Sequence, residues 1–121
     1  MNPTVIVALA GAAGATLRYR IGLAVGVRSF PWATLGINVA GCLALAFVLA
    51  GPGASRWSQT TTTAVAVGLL GAFTTFSTFG YETVTLLRDD RAADAVAYVA
   101  ASLVLGLVAT GAGYLAGRAV A

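Results

Sequence analysis

The stretch WATLGINVAGCLALAFVLA, from Trp32 to Ala50, carries no charged residue. As a helix rising 1.5 Å per residue it reaches about 28 Å, close to the ~30 Å hydrocarbon core of a bilayer. Gly51-Pro52-Gly53 then stops it. The rest of the chain agrees with a membrane-spanning reading. Hydrophobic residues make up 59% of the 121 residues and mean hydropathy is +0.89. Charged residues are 9%, against about 25% in soluble domains. A small soluble domain buries only about 60–70% of its chain surface, too little to hide this apolar content. The same figures exclude intrinsic disorder. By length the chain is one domain, an all-α integral membrane protein.

Four spans fit, over about 4–26, 32–50, 60–87 and 95–116, within a single domain 1–121. The uncharged part of the first, Thr4–Leu17, is too short to cross alone and must continue through Arg18, Tyr19 and Arg20. It opens at Pro3, a good first-turn residue. No basic residue precedes it, so it reads as a membrane helix rather than a signal peptide. The third span is long, and its middle, GLLGAFTTFSTFG, is rich in Gly, Thr and Ser. Gly22-x-x-x-Gly26 and Gly113-x-x-x-Gly117 have the spacing that lets membrane helices approach closely.

Charge and chemistry narrow the function. Arg56 and Arg118 fall on one side of the membrane; Arg28, Arg88 and Arg91 fall on the other, with Arg20 if it reaches the interface. This balance barely orients the chain and leaves insertion both ways open. The scattered Arg residues do not form a nucleic-acid footprint. There is no His and a single Cys, Cys42, which leaves no metal cluster of His and Cys and no disulfide framework. No paired carboxylates, nucleophile-plus-base set or phosphate loop is present, so no residues carry enzymatic chemistry.

Polar residues at membrane depth remain to be explained. Arg18 would cost at least ~2.5–3.5 kcal/mol inside a bilayer. It faces a cavity, or it snorkels to the interface from a short helix. Asn38 bonds across helices or lines a pore. Thr74-Thr75-Phe76-Ser77-Thr78-Phe79 concentrates hydroxyls and rings. Either the helix breaks beside a cavity, or its hydroxyls bond back to carbonyls one turn earlier; the Gly and Thr density favours a break, expected at Gly71–Thr74. Glu82 is the one carboxylate within a span and suits pairing or anchoring. The set is rich in donors and poor in anions. Cation pathways usually carry carboxylates, so this set suits an anion.

The segments GAAGATLRY (Gly11–Tyr19), ATLGINVAGC (Ala33–Cys42) and GLLGAFTTFSTFGYE (Gly68–Glu82) resemble the CrcB/Fluc fluoride channel family in order and spacing. The resemblance implies an antiparallel, dual-topology dimer of four-helix subunits with two fluoride pores and a third helix broken mid-membrane. It implies a homodimer, with a related second subunit as the other option; the short chain suits a bacterial plasma membrane. Arg18 matches a vestibule arginine and Asn38 a pore amide. Phe76 and Phe79 match a ring pair, and Ser77 and Thr78 a hydroxyl track, joined by Tyr98 and Ser102. Gly71 and Thr74 match positions whose carbonyls hold a structural Na⁺. The family often has a further serine where this chain has Gly106. The implied function is passive export of cytoplasmic F⁻, which relieves toxicity because HF enters and dissociates inside. The alternative is a small multidrug-resistance-type proton-coupled exporter, which needs a buried carboxylate in its first helix. This chain has Arg18 there.

Overall fold

The computed structural model describes all 121 residues. The chain is helical throughout, and four of its helical segments are long and apolar enough to cross a membrane: Pro3–Val25, Trp32–Ser55, Gln59–Arg88 and Ala92–Val120. Local chemistry sets their ends. Helix α1 (Pro3–Val25) starts where the Asn2 side chain accepts from Thr4 N–H at 2.7 Å, and it ends at Gly26, whose φ of 74° favours glycine. Helix α2 (Trp32–Ala50) ends at Gly51, and a short turn of helix, α3 (Pro52–Ser55), follows.

The third crossing is assembled from pieces. Helix α4 (Gln59–Thr63) is capped by Ser58, which accepts from Thr61 N–H at 3.1 Å. The helix then widens into a π-helical stretch, Ala64–Leu70, before a turn of α-helix, α5 (Gly71–Phe73). Thr74 (φ −84°, ψ 159°) and Thr75 (φ −152°, ψ 119°) are extended, and α6 (Phe76–Arg88) resumes after them. The sequence reading placed the interruption at Gly71–Thr74; the extended residues are Thr74 and Thr75, and Gly71 is helical (φ −64°, ψ −37°). The displacement has a simple cause. The interruption uses ordinary extended backbone, which β-branched threonine adopts readily, so no glycine is needed for it.

Helix α7 (Ala92–Val120) begins earlier and ends later than its apolar run, because hydrogen bonding rather than hydropathy sets a helix end. Arg91 Nε and Nη2 bind Asp94 Oδ2 at 2.9 and 2.7 Å, and Arg91 Nη1 donates to the Ser29 carbonyl. That contact ties the first loop to the third. At the opposite end, Arg56 Nη2 donates to the Val120 carbonyl at 2.6 Å. The first and third loops therefore share one end of the bundle, and the second loop lies with the C-terminal end of α7 at the other.

Two helix pairs organise the packing: α2 lies along α7, and α1 lies along the π-helical stretch and α5. Small residues make both possible. A methyl on Gly113 would overlap the Leu43 carbonyl oxygen, and one on Gly117 would stand 2.6 Å from the Phe47 carbonyl oxygen. A methyl on Gly14 would overlap the Leu69 carbonyl oxygen. The two small-residue motifs of the sequence therefore part company. Gly113 and Gly117 hold α7 against α2, whereas Gly22 has open space and Gly26 serves as the cap of α1. The core itself is small, built on Leu35, Leu86, Ala95 and Tyr98. Most large apolar side chains are exposed, as expected of a surface that meets lipid or other helices.

Candidate functional site: a donor-lined cavity at the helix interruption

Interrupting a helix frees backbone groups that, in a membrane, need partners within the protein. The flanking helices provide them. Asn38 on α2 forms two hydrogen bonds with Thr75: its Nδ2 donates to the Thr75 carbonyl at 2.9 Å, and its Oδ1 accepts from Thr75 N–H at 2.8 Å. Arg18 on α1 donates from Nε to the Ala72 carbonyl at 3.1 Å. Thr74 Oγ1 bonds back to the Leu70 carbonyl at 3.0 Å, which also receives Thr74 N–H at 3.1 Å. Thr74 therefore bonds back one turn although its own backbone is extended. Thr75 caps α6, its Oγ1 accepting from Thr78 N–H at 3.3 Å.

A cavity of about 300 Å³ lies against this interruption. Asn38, Thr75, Phe76, Phe79 and Ser102 all face it. The Phe76 and Phe79 rings are 5.7 Å apart, tilted by 48°; Phe76 is 83% exposed on the isolated chain while Phe79 leans on Tyr98 at 5.1 Å. Ser102 Oγ is buried without a hydrogen-bond partner. A buried hydroxyl normally finds one, so this hydroxyl is a donor available to a ligand. The lining contains no carboxylate. Gly106, one turn beyond Ser102, is buried against Cys42 with room for a methyl 3.7 Å from Sγ.

The other residues singled out in the sequence are placed around this cavity. Arg18 and Thr78 line a neighbouring groove of about 270 Å³, together with Thr75. Ser77 is exposed on the chain, 3.4 Å from Thr75 Oγ1. Tyr98 does not border the cavity. It is wholly buried in the core, and its hydroxyl donates to Glu82 Oε1 at 2.9 Å, which gives Glu82 the pairing role read from the sequence. Gly71 and Thr74 border the cavity. The Thr74 carbonyl accepts no hydrogen bond within the chain, and neither Thr74 N–H nor Thr75 N–H reaches the Gly71 carbonyl, both being committed elsewhere. Such free carbonyl oxygens fit a hard cation.

Sequence reasoning missed Thr75 as a residue of the site. Its place at the centre of a run of four hydroxyls was visible, but its backbone bonds to Asn38 join segments 37 residues apart.

Four apolar crossings, three of which line a cavity bearing hydrogen-bond donors, define a multi-pass α-helical membrane protein. Residues 5–114 match the family of CrcB-like proteins, Camphor Resistance (CrcB), and the chain belongs to that family. It is 48% identical over 110 residues to the fluoride-specific ion channel FluC 2 of Rhodococcus jostii, covering 90% of this chain and 93% of that protein. The fluoride-specific ion channels FluC of Paracoccus denitrificans and Geobacter sulfurreducens are similar at 43% over 114 residues and 39% over 122. These alignments cover 93% and 98% of this chain, and 91% and 98% of those proteins.

Proposed function

We propose that the protein is a fluoride-selective ion channel that exports cytoplasmic F⁻ passively. The observation that carries this reading is the polar part of the cavity lining: beside Cys42, Leu45, Leu70 and Leu103 stand an amide, hydroxyls and two aromatic rings without a carboxylate, and the buried Ser102 hydroxyl has no partner. Fluoride is small and strongly hydrated, so a pore must replace its water with donors. Asn38 keeps one amide N–H beyond its bond to Thr75, since an amide nitrogen carries two. Aromatic edges are electropositive, so Phe76 and Phe79 can meet an anion edge-on. Ser77 and Thr78 add hydroxyls, Arg18 draws the anion towards the neighbouring groove, and Tyr98 backs the Phe79 ring. The proton-coupled exporter has no support, because α1 carries no acidic residue.

The working unit is an antiparallel, dual-topology homodimer in a bacterial plasma membrane, with the third helix interrupted at mid-membrane. An open cavity and an exposed Phe76 on the single chain favour a second subunit as the missing wall. A two-fold axis repeats the pore. A related second subunit in place of the identical one would serve the same geometry. On the axis, the Gly71 and Thr74 carbonyls of both chains hold a structural Na⁺ that closes the dimer and is not transported.

The experiment is fluoride efflux from loaded liposomes containing the purified protein, followed with a fluoride electrode. We expect efflux that needs only a counter-ion shunt. Efflux that depends on a proton gradient, or equally fast chloride efflux, overturns the reading.

A further inference from the structure

We propose that Thr75 is the transfer point of the ion path, its hydroxyl passing fluoride from the Arg18 groove to the ring cavity. The inference rests on the fluoride reading above and assigns a role to a residue outside the set implied by resemblance.

Two adjacent cavities flank the interrupted third crossing. One holds Asn38, Phe76, Phe79 and Ser102; the other holds Arg18 and Thr78. Thr75 is the one residue that lines both. The two cavities therefore meet at this residue.

The wall on the Arg18 side combines apolar Leu23, Ala33 and Ile37 with the hydroxyls of Tyr19, Thr34, Thr75 and Thr78. A dehydrated anion gains nothing from the apolar groups. Among the hydroxyls, Thr75 and Thr78 touch: Thr75 Oγ1 donates to Thr78 Oγ1 at 3.1 Å. A hydroxyl proton rotates to suit its acceptor. Thr75 can therefore turn its O–H from Thr78 to an ion without moving a heavy atom.

The backbone under this hydroxyl is held still. Asn38 clasps both the N–H and the carbonyl of Thr75, at 2.8 and 2.9 Å. A rigid support for a mobile proton is what a transfer point needs, because the donor is then presented without reorganising the site. The far side offers the free Asn38 N–H, the ring edges and the unpartnered Ser102 hydroxyl. The near side offers Arg18, whose Nε is engaged by Ala72 and whose two Nη groups make no bond within the chain. Thr75 is thus the one donor common to both cavities.

The test uses the full-length protein in liposomes. Thr75→Val keeps the shape and removes the hydroxyl; Thr75→Ser keeps the hydroxyl. We expect Thr75→Val to lower fluoride efflux by about tenfold or more, and Thr75→Ser to stay within about threefold of wild type. Thr75→Val at the wild-type rate, or Thr75→Ser as slow as Thr75→Val, overturns the proposal. Because Thr75 also caps α6, a second measurement separates ion contact from folding. In wild-type protein with labelled threonine methyls, the signal lost in Thr75→Ser is assigned to Thr75 and followed during titration with fluoride and with chloride. We expect a shift with fluoride alone. A protein that conducts fluoride while this signal stays fixed overturns the transfer role. Wild-type protein that fails to conduct fluoride refutes the channel reading instead.

Discussion

Asn38 and Thr75 are joined by a two-point clasp, amide to peptide, across helices that are 37 residues apart in sequence. The clasp decides between the two sequence readings of Asn38 in an unexpected way. The side chain bonds across to the third crossing and also borders the cavity, so holding the fold and facing a cavity are compatible. Asn38→Leu removes both halves of the clasp. It leaves a peptide N–H and a carbonyl unpaired, at about 1–3 kcal/mol each. We expect fluoride efflux to fall by at least about tenfold and the protein to melt at lower temperature. Unchanged efflux and melting would show that neither half of the clasp matters.

The ring pair gives a prediction that separates two roles. Phe76 projects from the isolated chain, while Phe79 packs on Tyr98 and the buried core. Isoleucine keeps an apolar side chain and removes the electropositive edge. Phe76→Ile and Phe79→Ile should each block or greatly slow fluoride efflux. Only Phe79→Ile should also destabilise the subunit, by about 1 kcal/mol, because it removes packing from the core. Efflux is read with the electrode and stability by thermal unfolding in detergent. Wild-type efflux in both variants would leave the rings with a packing role alone.

Much of this arrangement is legible in the residues. The uncharged run at Trp32–Ala50 marks a span without ambiguity, and the hydroxyl-rich segment marks where the third crossing is interrupted. Glu82 finds the pairing role its position suggested. Other features depend on contacts that no local pattern encodes. The π-helical stretch at Ala64–Leu70 is composed of ordinary helix formers and one glycine, and α1 lies along it. Arg18 could be read as facing a cavity or as snorkelling; only the position of the Ala72 carbonyl reveals that its guanidinium braces the end of α5. Tyr98 looks like a member of the hydroxyl track, yet Phe30, Phe79 and Glu82 enclose it.

The same distinction between pattern and contact separates glycines that look alike. Gly22 and Gly113 each open a small-x-x-x-small motif, yet only Gly113 is pressed against another backbone. Gly113→Ala should push α7 from α2 and cost about 1–3 kcal/mol, the usual range for overpacking. Gly22→Ala meets open space within a helix, where alanine is favoured over glycine by about 1 kcal/mol. It should leave the melting temperature unchanged or raise it. Paired melting curves of the two variants check this, and equal destabilisation would contradict the packing described.

The cation on the proposed two-fold axis makes the last prediction. The Thr74 carbonyl has no donor within the chain, and the Gly71 carbonyl is passed over by the two N–H groups that follow the interruption. An unpaired carbonyl at membrane depth is costly. A second subunit related by two-fold symmetry would double these oxygens, and oxygen donors suit a hard monovalent cation. Such an ion would offset the cost in both subunits at once. Its binding is then linked to assembly, since only the dimer completes the site, and removing it should weaken the dimer by mass action. Replacing Na⁺ with a large organic cation on both sides of the membrane should therefore abolish fluoride efflux and shift the monomer–dimer balance towards monomer. Restoring Na⁺ should recover both. Fluoride efflux and dimer content indifferent to the exchange would remove the cation from the mechanism and leave the free carbonyls to another partner.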